Sequence, residues 1–109
     1  MRQFALICRD APDARERRLA ARAEHMAGLK VEKAANTIID GGAIMDAEGN
    51  MIGSVVLCQF KDRAALDAYL AREVYAREGI WGEIEILDMR FVDWAKLMAD
   101  RSGSGKLNS

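Results

Sequence analysis

His25 is the only histidine among the 109 residues, and it is the side chain best suited to move a proton near neutral pH. An imidazole has an ordinary pKa of about 6.5, so it can serve as a general base and as a general acid. A single histidine also excludes any zinc site that needs two. The alternative interpretation is a partly buried helix histidine bonded to a backbone carbonyl. The sequence offers His25 as a candidate and leaves its role open.

Three further side chains are candidates for holding a ligand beside His25. Arg22 lies one helical turn before it and could bind a carboxylate or phenolate, pair with an acidic side chain, or cover apolar surface with its stem. Tyr75 and Trp81 could line a pocket for a planar ligand, because aromatic rings combine apolar area with a polar group. They are equally suited to the hydrophobic core or to a subunit interface.

Composition excludes several classes of function. Sixteen Lys plus Arg against seventeen Asp plus Glu give a net charge of −1 without a basic stripe, so we expect no nucleic-acid partner. The acidic turn at residues 46–50 is too short for a calcium loop of the EF-hand type. Gly41 and Gly42 lack the spacing of a phosphate-binding loop. With no metal or nicotinamide motif, the sequence predicts no cofactor.

The two cysteines predict an ordinary reducing environment. Cys8 and Cys58 lie far apart, each inside an apolar run, and are expected to be buried free thiols. The first apolar run is too short for a signal peptide, and no later run is long enough to span a bilayer. We therefore expect a cytoplasmic protein without a membrane partner.

Hydrophobic patterning predicts six main elements in the order strand, helix, strand, strand, helix, strand. Asp13 with Glu16 is a plausible capping box for the first helix, and Asp62 can cap the second. The strands are expected at residues 3–8, 37–45, 52–60 and 83–92, and the first helix at 14–35. Residues 74–82 are expected to be a connection, and residues 93–100 a short terminal helix.

Two patterns within these elements bear on packing. One broad face of the first helix is expected to hold Leu19, Arg22, Ala23, Met26 and Leu29, with His25 at its border. In the last strand Ile84 and Ile86 share one phase, whereas the later apolar residues Leu87, Met89 and Phe91 take the other. Such a change of face indicates either a bulge or a different packing partner for the second half, for example another subunit.

The order of elements predicts an α+β fold of the ferredoxin-like βαββαβ type. Its four-stranded antiparallel sheet carries both helices on one face, and the other face is too apolar to remain wet. We therefore expect a homodimer formed by sheet-to-sheet packing. The expected domain covers residues 1–92, followed by a helical extension at 93–100 and a flexible tail at 101–109.

Four short motifs, in order, resemble the YciI-like family of the dimeric α/β-barrel superfamily over residues 1–92. The run Arg22-Ala23-Glu24-His25-Met26 is similar to the family's Arg-x-x-His-Leu. The run Ile38-Ile39-Asp40-Gly41-Gly42 stands where the family has an apolar pair followed by Ala-Gly-Pro. The remaining two are Gly53-Ser54, which opens the third strand, and Tyr75 with Gly79 after the second helix.

The resemblance implies a cleft in each subunit with a histidine and an aspartate at its centre. The histidine corresponds to His25. The aspartate belongs to an Asp-Pro-Tyr segment, and this chain has Glu73-Val74-Tyr75 in its place, a longer carboxylate without the rigid proline. Asp40 is the competing carboxylate, and Gly42 lies where the floor of the cleft departs from the family's pattern. One type of member eliminates chloride from a hydroxylated aromatic ring.

Three functions remain open at the level of sequence. The first is a small cofactor-independent enzyme in which His25 transfers a proton on a small anionic, cyclic or aromatic substrate, with Glu73 orienting the imidazole. Isomerisation, elimination and dehalogenation all suit such a centre. The second is a metabolite-binding or accessory module without turnover, anchored by His25 and Arg22. The third is a purely structural dimer.

Overall fold

A computed structural model describes residues 1–99 and confirms the α+β architecture. The sheet has four strands in the order β2-β3-β1-β4, and every neighbouring pair is antiparallel. In chain order the elements are β1 (Arg2–Asp10), α1 (Arg15–Ala34), β2 (Ile38–Met45), β3 (Met51–Phe60), α2 (Arg63–Arg72), α3 (Val74–Arg77), β4 (Trp81–Met89) and α4 (Trp94–Ala99). The expected flexible tail at 101–109 lies outside the described residues.

One face of the sheet carries the core, as period-two alternation of the strands requires. On β1 the residues Phe4, Leu6 and Cys8 are buried against the helices, and Val56 and Cys58 do the same on β3. Helix α2 contributes Leu66 and Tyr69, and the segment after it contributes Val74, Tyr75, Ile80 and Trp81. The core therefore lies under α2 and α3 and extends beneath α1.

Helix α1 buries a different face from the one its apolar residues indicate. The residues it buries are Arg18, His25 and Glu32, each seven positions apart, while Leu19 is 66% exposed. Seven residues are close to two turns, so these three side chains share one stripe. Each forms an acid–base pair with a side chain outside α1, namely Asp10, Glu73 and Arg72 respectively, and this pairing offsets the free-energy cost of burying a polar group. The expected apolar face is confirmed for Leu29, which packs against the core, and wrong for Leu19 and Met26, which are exposed, because paired polar side chains form the buried stripe of this helix.

The start of α1 also differs from expectation. The capping box of Asp13 and Glu16 is wrong, since Ala14 holds the N-cap position and no side chain bonds there. Asp13 instead adopts a positive φ of 62° in the turn before the helix. The second cap is confirmed, because Asp62 Oδ1 accepts a hydrogen bond of 2.9 Å from the backbone N–H of Ala65.

The apolar residues of β4 lie on both faces of the sheet. Its register with β1 is regular from Gln3–Met89 to Arg9–Glu83, so the expected bulge within the strand is wrong; the one shift lies at its start, near Trp81. Ile84 and Ile86 pack against the core. Leu87 and Met89 occupy the opposite phase and are 43% and 44% exposed. The other interpretation, a different packing partner for this half, stays a prediction.

The connecting and terminal segments are also more structured than expected. The segment at 74–82 is not a simple connection, because α3 and the first residues of β4 lie within it. The terminal helix α4 is present, with Trp94 and Met98 largely exposed. No helix within residues 1–99 has the length and apolar character needed to cross a membrane.

Candidate active site

His25 and Glu73 meet in the interior as a hydrogen-bonded pair. Imidazole Nδ1 of His25 lies 2.7 Å from Oε1 of Glu73, and their side chains are 10% and 2% exposed. The two residues are 48 positions apart, so the contact joins α1 to the junction between α2 and α3. The structure thus brings together the two residues expected to form the centre, whereas their catalytic role stays a prediction.

The carboxylate of Glu73 is fixed by the place where one helix ends and another begins. Glu73 is the C-cap of α2 and the N-cap of α3, with an extended backbone at φ −70° and ψ 121°. Its Oε1 also accepts a bond of 3.1 Å from the backbone N–H of Tyr75, and the Tyr69 hydroxyl lies 3.4 Å from Oε2 as a donor. The glutamate therefore reaches the histidine without the proline of the Asp-Pro-Tyr pattern, because capping holds it in place.

This arrangement sets the tautomer of His25. A carboxylate only accepts, so Nδ1 carries the proton that it shares with Glu73. The lone pair then resides on Nε2, for which residues 1–99 supply no hydrogen-bond partner. An imidazole held in this way is oriented as a base on its free side, with the carboxylate stabilising the charge that proton uptake creates.

Aromatic rings surround the imidazole. The ring of Tyr75 stacks on that of His25 with centroids 3.9 Å apart and planes 7° apart, and Trp81 lies edge-on at 6.0 Å. Burial raises the pKa of Tyr75, and the Arg18 guanidinium opposes that rise. Burial, followed by the nearby charge of Glu73, raises the pKa of Tyr69 as well. Both phenols therefore remain protonated donors near neutral pH.

A cavity of about 640 Å³ opens between α1 and the β2–β3 side of the sheet. It is lined by Arg18, Arg22, His25, Met26, Leu29, Lys33, Ile38, Ile39, Asp40, Gly41, Gly42, Ala43, Met51, Ser54, Val55, Val56 and Tyr75. This volume suits a small molecule. Residues 1–99 hold no cluster of three or more His, Cys, Asp or Glu side chains placed to bind a metal ion.

Four of the five expected ligand-binding residues line the cavity. They are Arg22, Asp40, Gly42 and Tyr75. The fifth, Trp81, is not a lining residue, and its indole N–H instead donates to Ser54 Oγ at 3.3 Å. Asp40 Oδ1 accepts from the backbone N–H of Gly41, and the carboxylate bonded to His25 is that of Glu73.

Two consecutive glycines in the cavity wall differ in whether a side chain could replace them: Gly41 must be glycine, whereas Gly42 has room for a Cβ. A Cβ on Gly41 would lie 2.4 Å from the carbonyl oxygen of Val55, which no side chain could accept. A Cβ on Gly42 would meet nothing within 4 Å. Gly41 thus permits the close approach of β2 to β3, whereas Gly42 leaves space at the wall of the cavity.

Sequence reasoning missed a buried polar group beside the expected centre. Arg18 donates from Nε to Asp10 Oδ2 at 2.8 Å, and its Cζ lies 4.8 Å from the ring centroid of Tyr75. From Nη2 it donates to the carbonyl of Gly53 and to Ser54 Oγ, each at 2.8 Å. The signal available in the sequence was the spacing, because Arg18 lies seven residues before His25.

The two thiols lie beneath this site and are free, as expected. Burial raises the pKa of Cys8 to about 12, with smaller contributions from Glu73 and Asp10, and burial raises the pKa of Cys58 to about 11. A thiolate is the reactive form of cysteine, so neither thiol is set up as a nucleophile at neutral pH.

The fold and the buried histidine–carboxylate pair define a ferredoxin-like domain with a small-molecule-sized cavity. The chain belongs to the YCII-related domain family, whose model matches residues 2–90. A relative from Haemophilus influenzae, an uncharacterised protein, is 31% identical over 87 residues, covering 74% of this chain and 89% of the relative.

Solved structures show the same fold at low sequence identity. The 5-chloro-2-hydroxyhydroquinone dehydrochlorinase of Burkholderia phenoliruptrix, in complex with 2,5-dihydroxybenzoquinone, is 20% identical with a TM-score of 0.71, covering 82% of this chain and 92% of that one. An antibiotic biosynthesis monooxygenase is 19% identical with a TM-score of 0.51, covering 84% and 99%. These likenesses establish the fold.

Proposed function

We propose that this protein is a cofactor-independent enzyme that transfers a proton on a small anionic, cyclic or aromatic substrate. His25 is the acid/base and Glu73 orients it. The observation that carries the proposal is the Nδ1–Oε1 bond of 2.7 Å behind an imidazole that lines the cavity. The reaction type is isomerisation, elimination or dehalogenation, because each needs one base that can later return its proton.

The charge around the cavity supports an anionic substrate. Arg22, Lys33 and Arg18 are three cationic lining residues, against one lining carboxylate, Asp40. Arg18 is already paired with Asp10, and Lys33 donates to the carbonyl of Ile39. Arg22 therefore supplies the cation best placed to attract a carboxylate or phenolate.

The dehydrochlorinase with the same fold guides the choice of probe. Its ligand, 2,5-dihydroxybenzoquinone, is planar, acidic and of a size that this cavity accommodates. The ring C–H groups of such a vinylogous acid exchange with solvent when an acid delivers a deuteron to carbon and a base removes the proton. That exchange is the elementary step assigned to His25.

The proposed enzyme is a cytoplasmic homodimer. Leu87 and Met89 on β4, together with the half-buried Ile7 and Val55, give the helix-free face of the sheet an apolar strip. Packing two such faces together would cover that strip. Light scattering should give twice the chain mass, and Leu87→Glu should shift the mass toward that of one chain. A monomeric wild type would contradict this part of the proposal.

The function is tested by proton exchange in D₂O. With 2,5-dihydroxybenzoquinone, the wild-type protein should accelerate loss of the ring-proton NMR signal, and His25→Gln should slow the exchange by about 10²-fold or more. Gln keeps the size and polarity of the side chain but cannot cycle a proton. Thermal unfolding of both proteins should coincide within a few degrees.

Three results would decide against the enzyme. Equal exchange rates with wild type and His25→Gln would show that His25 is not the base. Binding of the quinone that shifts the His25 ring resonances, but without exchange, would favour the metabolite-binding module. Unfolding of His25→Gln together with no ligand response in the wild type would favour a structural dimer.

A further inference from the structure

Two side chains at the cavity wall carry hydrogen-bond donors for which residues 1–99 supply no oxygen or nitrogen acceptor. Arg18 and Ser54 are each 7% exposed, and both line the cavity. Buried donors normally find an acceptor, so an unused pair at one place indicates a ligand atom.

The unused donor of Ser54 follows from counting its bonds. A hydroxyl has one proton and two lone pairs. Arg18 Nη2 donates to Ser54 Oγ at 2.8 Å, and the indole N–H of Trp81 donates to the same atom at 3.3 Å. Both lone pairs are therefore occupied by N–H donors. Among residues 1–99 no acceptor takes the hydroxyl proton, which must point away from both donors.

The unused donors of Arg18 are on Nη1. Nε is committed to Asp10, and the two protons of Nη2 go to Gly53 and Ser54. Nη1 has as its partner the sulfur of Met51 at 3.9 Å, a weak acceptor. The pair with Asp10 and the ring of Tyr75 hold the guanidinium in place, so these donors are oriented before any ligand arrives.

We infer that Arg18 Nη1–H and Ser54 Oγ–H form a subsite for a carbonyl or phenolate oxygen, so that the substrate is an enolisable carbonyl compound. The inference rests on the proposed function and specifies its substrate. Arg18 and Ser54 are bonded to each other and both line the cavity, and donors of this kind stabilise the charge that develops on an oxygen when a proton leaves the adjacent carbon. The same cavity wall presents His25, whose ring lies 6.0 Å from Trp81, the residue that donates to Ser54.

The chemical step balances with these groups alone. His25 Nε2 takes the proton from the carbon next to the carbonyl, the C–H electron pair becomes a C=C bond, and the carbonyl π pair moves onto the oxygen held by Arg18 and Ser54. Where the substrate has a further C=C bond conjugated with the new one, return of the proton to the far carbon of the dienolate re-forms the carbonyl and gives an isomer. Elimination occurs when the neighbouring carbon carries a leaving group. The pair on the oxygen re-forms the carbonyl, the C=C pair forms a new double bond to that carbon, and the leaving group departs as an anion while His25 later releases the proton.

The subsite is tested with 4-nitrophenolate, which carries the oxyanion, and nitrobenzene, which lacks it. Wild type should bind the phenolate at least tenfold more tightly than nitrobenzene, and Ser54→Ala and Arg18→Lys should each weaken the phenolate by about tenfold while leaving nitrobenzene within twofold. By linkage, each variant should raise the apparent pKa of the bound nitrophenol by about one unit, read from its absorbance. Arg63→Lys, on the exposed surface of α2, is the matched control and should change neither ligand.

The outcomes separate this inference from the proposed function. Equal binding of the two probes by the wild type, or no binding of either up to 10 mM, overturns the subsite, as does an unchanged phenolate affinity in the variants. If Ser54→Ala fails to fold, Arg18→Lys still decides, because a preference for phenolate that came from Arg22 alone would survive that change. His25→Gln should retain the preference for phenolate. A preserved preference without any quinone exchange would keep the subsite and reject the enzyme, whereas exchange without the preference would do the reverse.

Discussion

Two acid–base pairs with a buried carboxylate join α1 to the α2–α3 segment, and only one has the features of a reaction centre. His25 bonds Glu73 at 2.7 Å, and seven residues further along α1 Glu32 bonds Arg72 at 3.0 Å. In both pairs the carboxylate is about nine-tenths buried or more. A buried, paired carboxylate, one of the usual signs of a functional site, is therefore common to both.

The two pairs differ in what remains unbonded. Glu32 is saturated, because Arg72 approaches both of its carboxylate oxygens and the hydroxyl of Thr37 donates to Oε1 at 2.9 Å. Arg72 itself is 53% exposed, and neither residue lines the cavity. His25 keeps Nε2 without a partner in the described chain and faces the cavity. The comparison shows that a polar atom without a hydrogen-bond partner at the cavity wall identifies the candidate site better than a buried, paired carboxylate does.

The largest expected effect comes from changing Glu73. Glu73→Gln should slow quinone exchange by about 10²-fold or more, because an amide can present N–H to Nδ1 and hold the wrong tautomer. Glu73→Asp should retain part of the activity, since it keeps the charge one methylene further from the ring. Exchange rates of the two variants and wild type, measured at equal concentration, check the order Glu, Asp, Gln. Equal rates for Gln and Asp would show that the charge of this residue is not used.

A smaller effect, and of a different kind, is expected at the other pair. Glu32→Gln should lower the free energy of unfolding by about 1 kcal/mol or less, because Arg72 is half exposed and solvent screens the pair. Quinone exchange should stay within twofold of wild type, since Glu32 does not line the cavity. Urea unfolding and the exchange assay together check this. A hundredfold loss of exchange in a folded Glu32→Gln would contradict the distinction between the pairs.

The sequence predicted the fold better than it predicted the site's surroundings, and the reason lies in α1. Strand alternation and the order of elements are local signals, so the sheet and its helices were predicted close to their observed bounds. The buried face of α1 was not predicted. Charged residues such as Arg18 and Glu32 are normally exposed on a helix, and they are buried here because Asp10 and Arg72, on other elements, pair with them. Glu73 could be proposed only through the family resemblance, since its contact with His25 spans 48 positions. The availability of the Ser54 hydroxyl as a donor could not be predicted, because it depends on hydrogen bonds that Arg18 and Trp81, both distant in sequence, donate to its oxygen.

The smallest expected effect is electrostatic and again separates the two pairs. Cys8 lies under the site, and after burial the charge of Glu73 is the next cause that raises its pKa to about 12; Glu32 is not among the causes. Glu73→Gln should therefore lower the pKa of Cys8 by a fraction of a unit, whereas Glu32→Gln should leave it unchanged. The difference in absorbance near 240 nm between Cys58→Ser and Cys8→Ala/Cys58→Ser, followed against pH, isolates the thiolate of Cys8 from tyrosinate and measures this.

The sign of the linked stability follows from the same thiol. Its pKa is raised in the folded state above the ordinary value of 9.0, so its contribution to stability is complete below pH 9 and is lost as the pH rises toward about 12. Cys8→Ala should flatten this alkaline loss in urea unfolding between about pH 9 and 11. Glu73→Gln, unlike Glu32→Gln, should differ from wild type only above about pH 11, where the thiol of the folded protein begins to ionise. An unchanged slope in Cys8→Ala would contradict the assignment of this alkaline loss to Cys8, and a change above about pH 11 in Glu32→Gln but not in Glu73→Gln would show that the charge of Glu32, not that of Glu73, acts on the thiol.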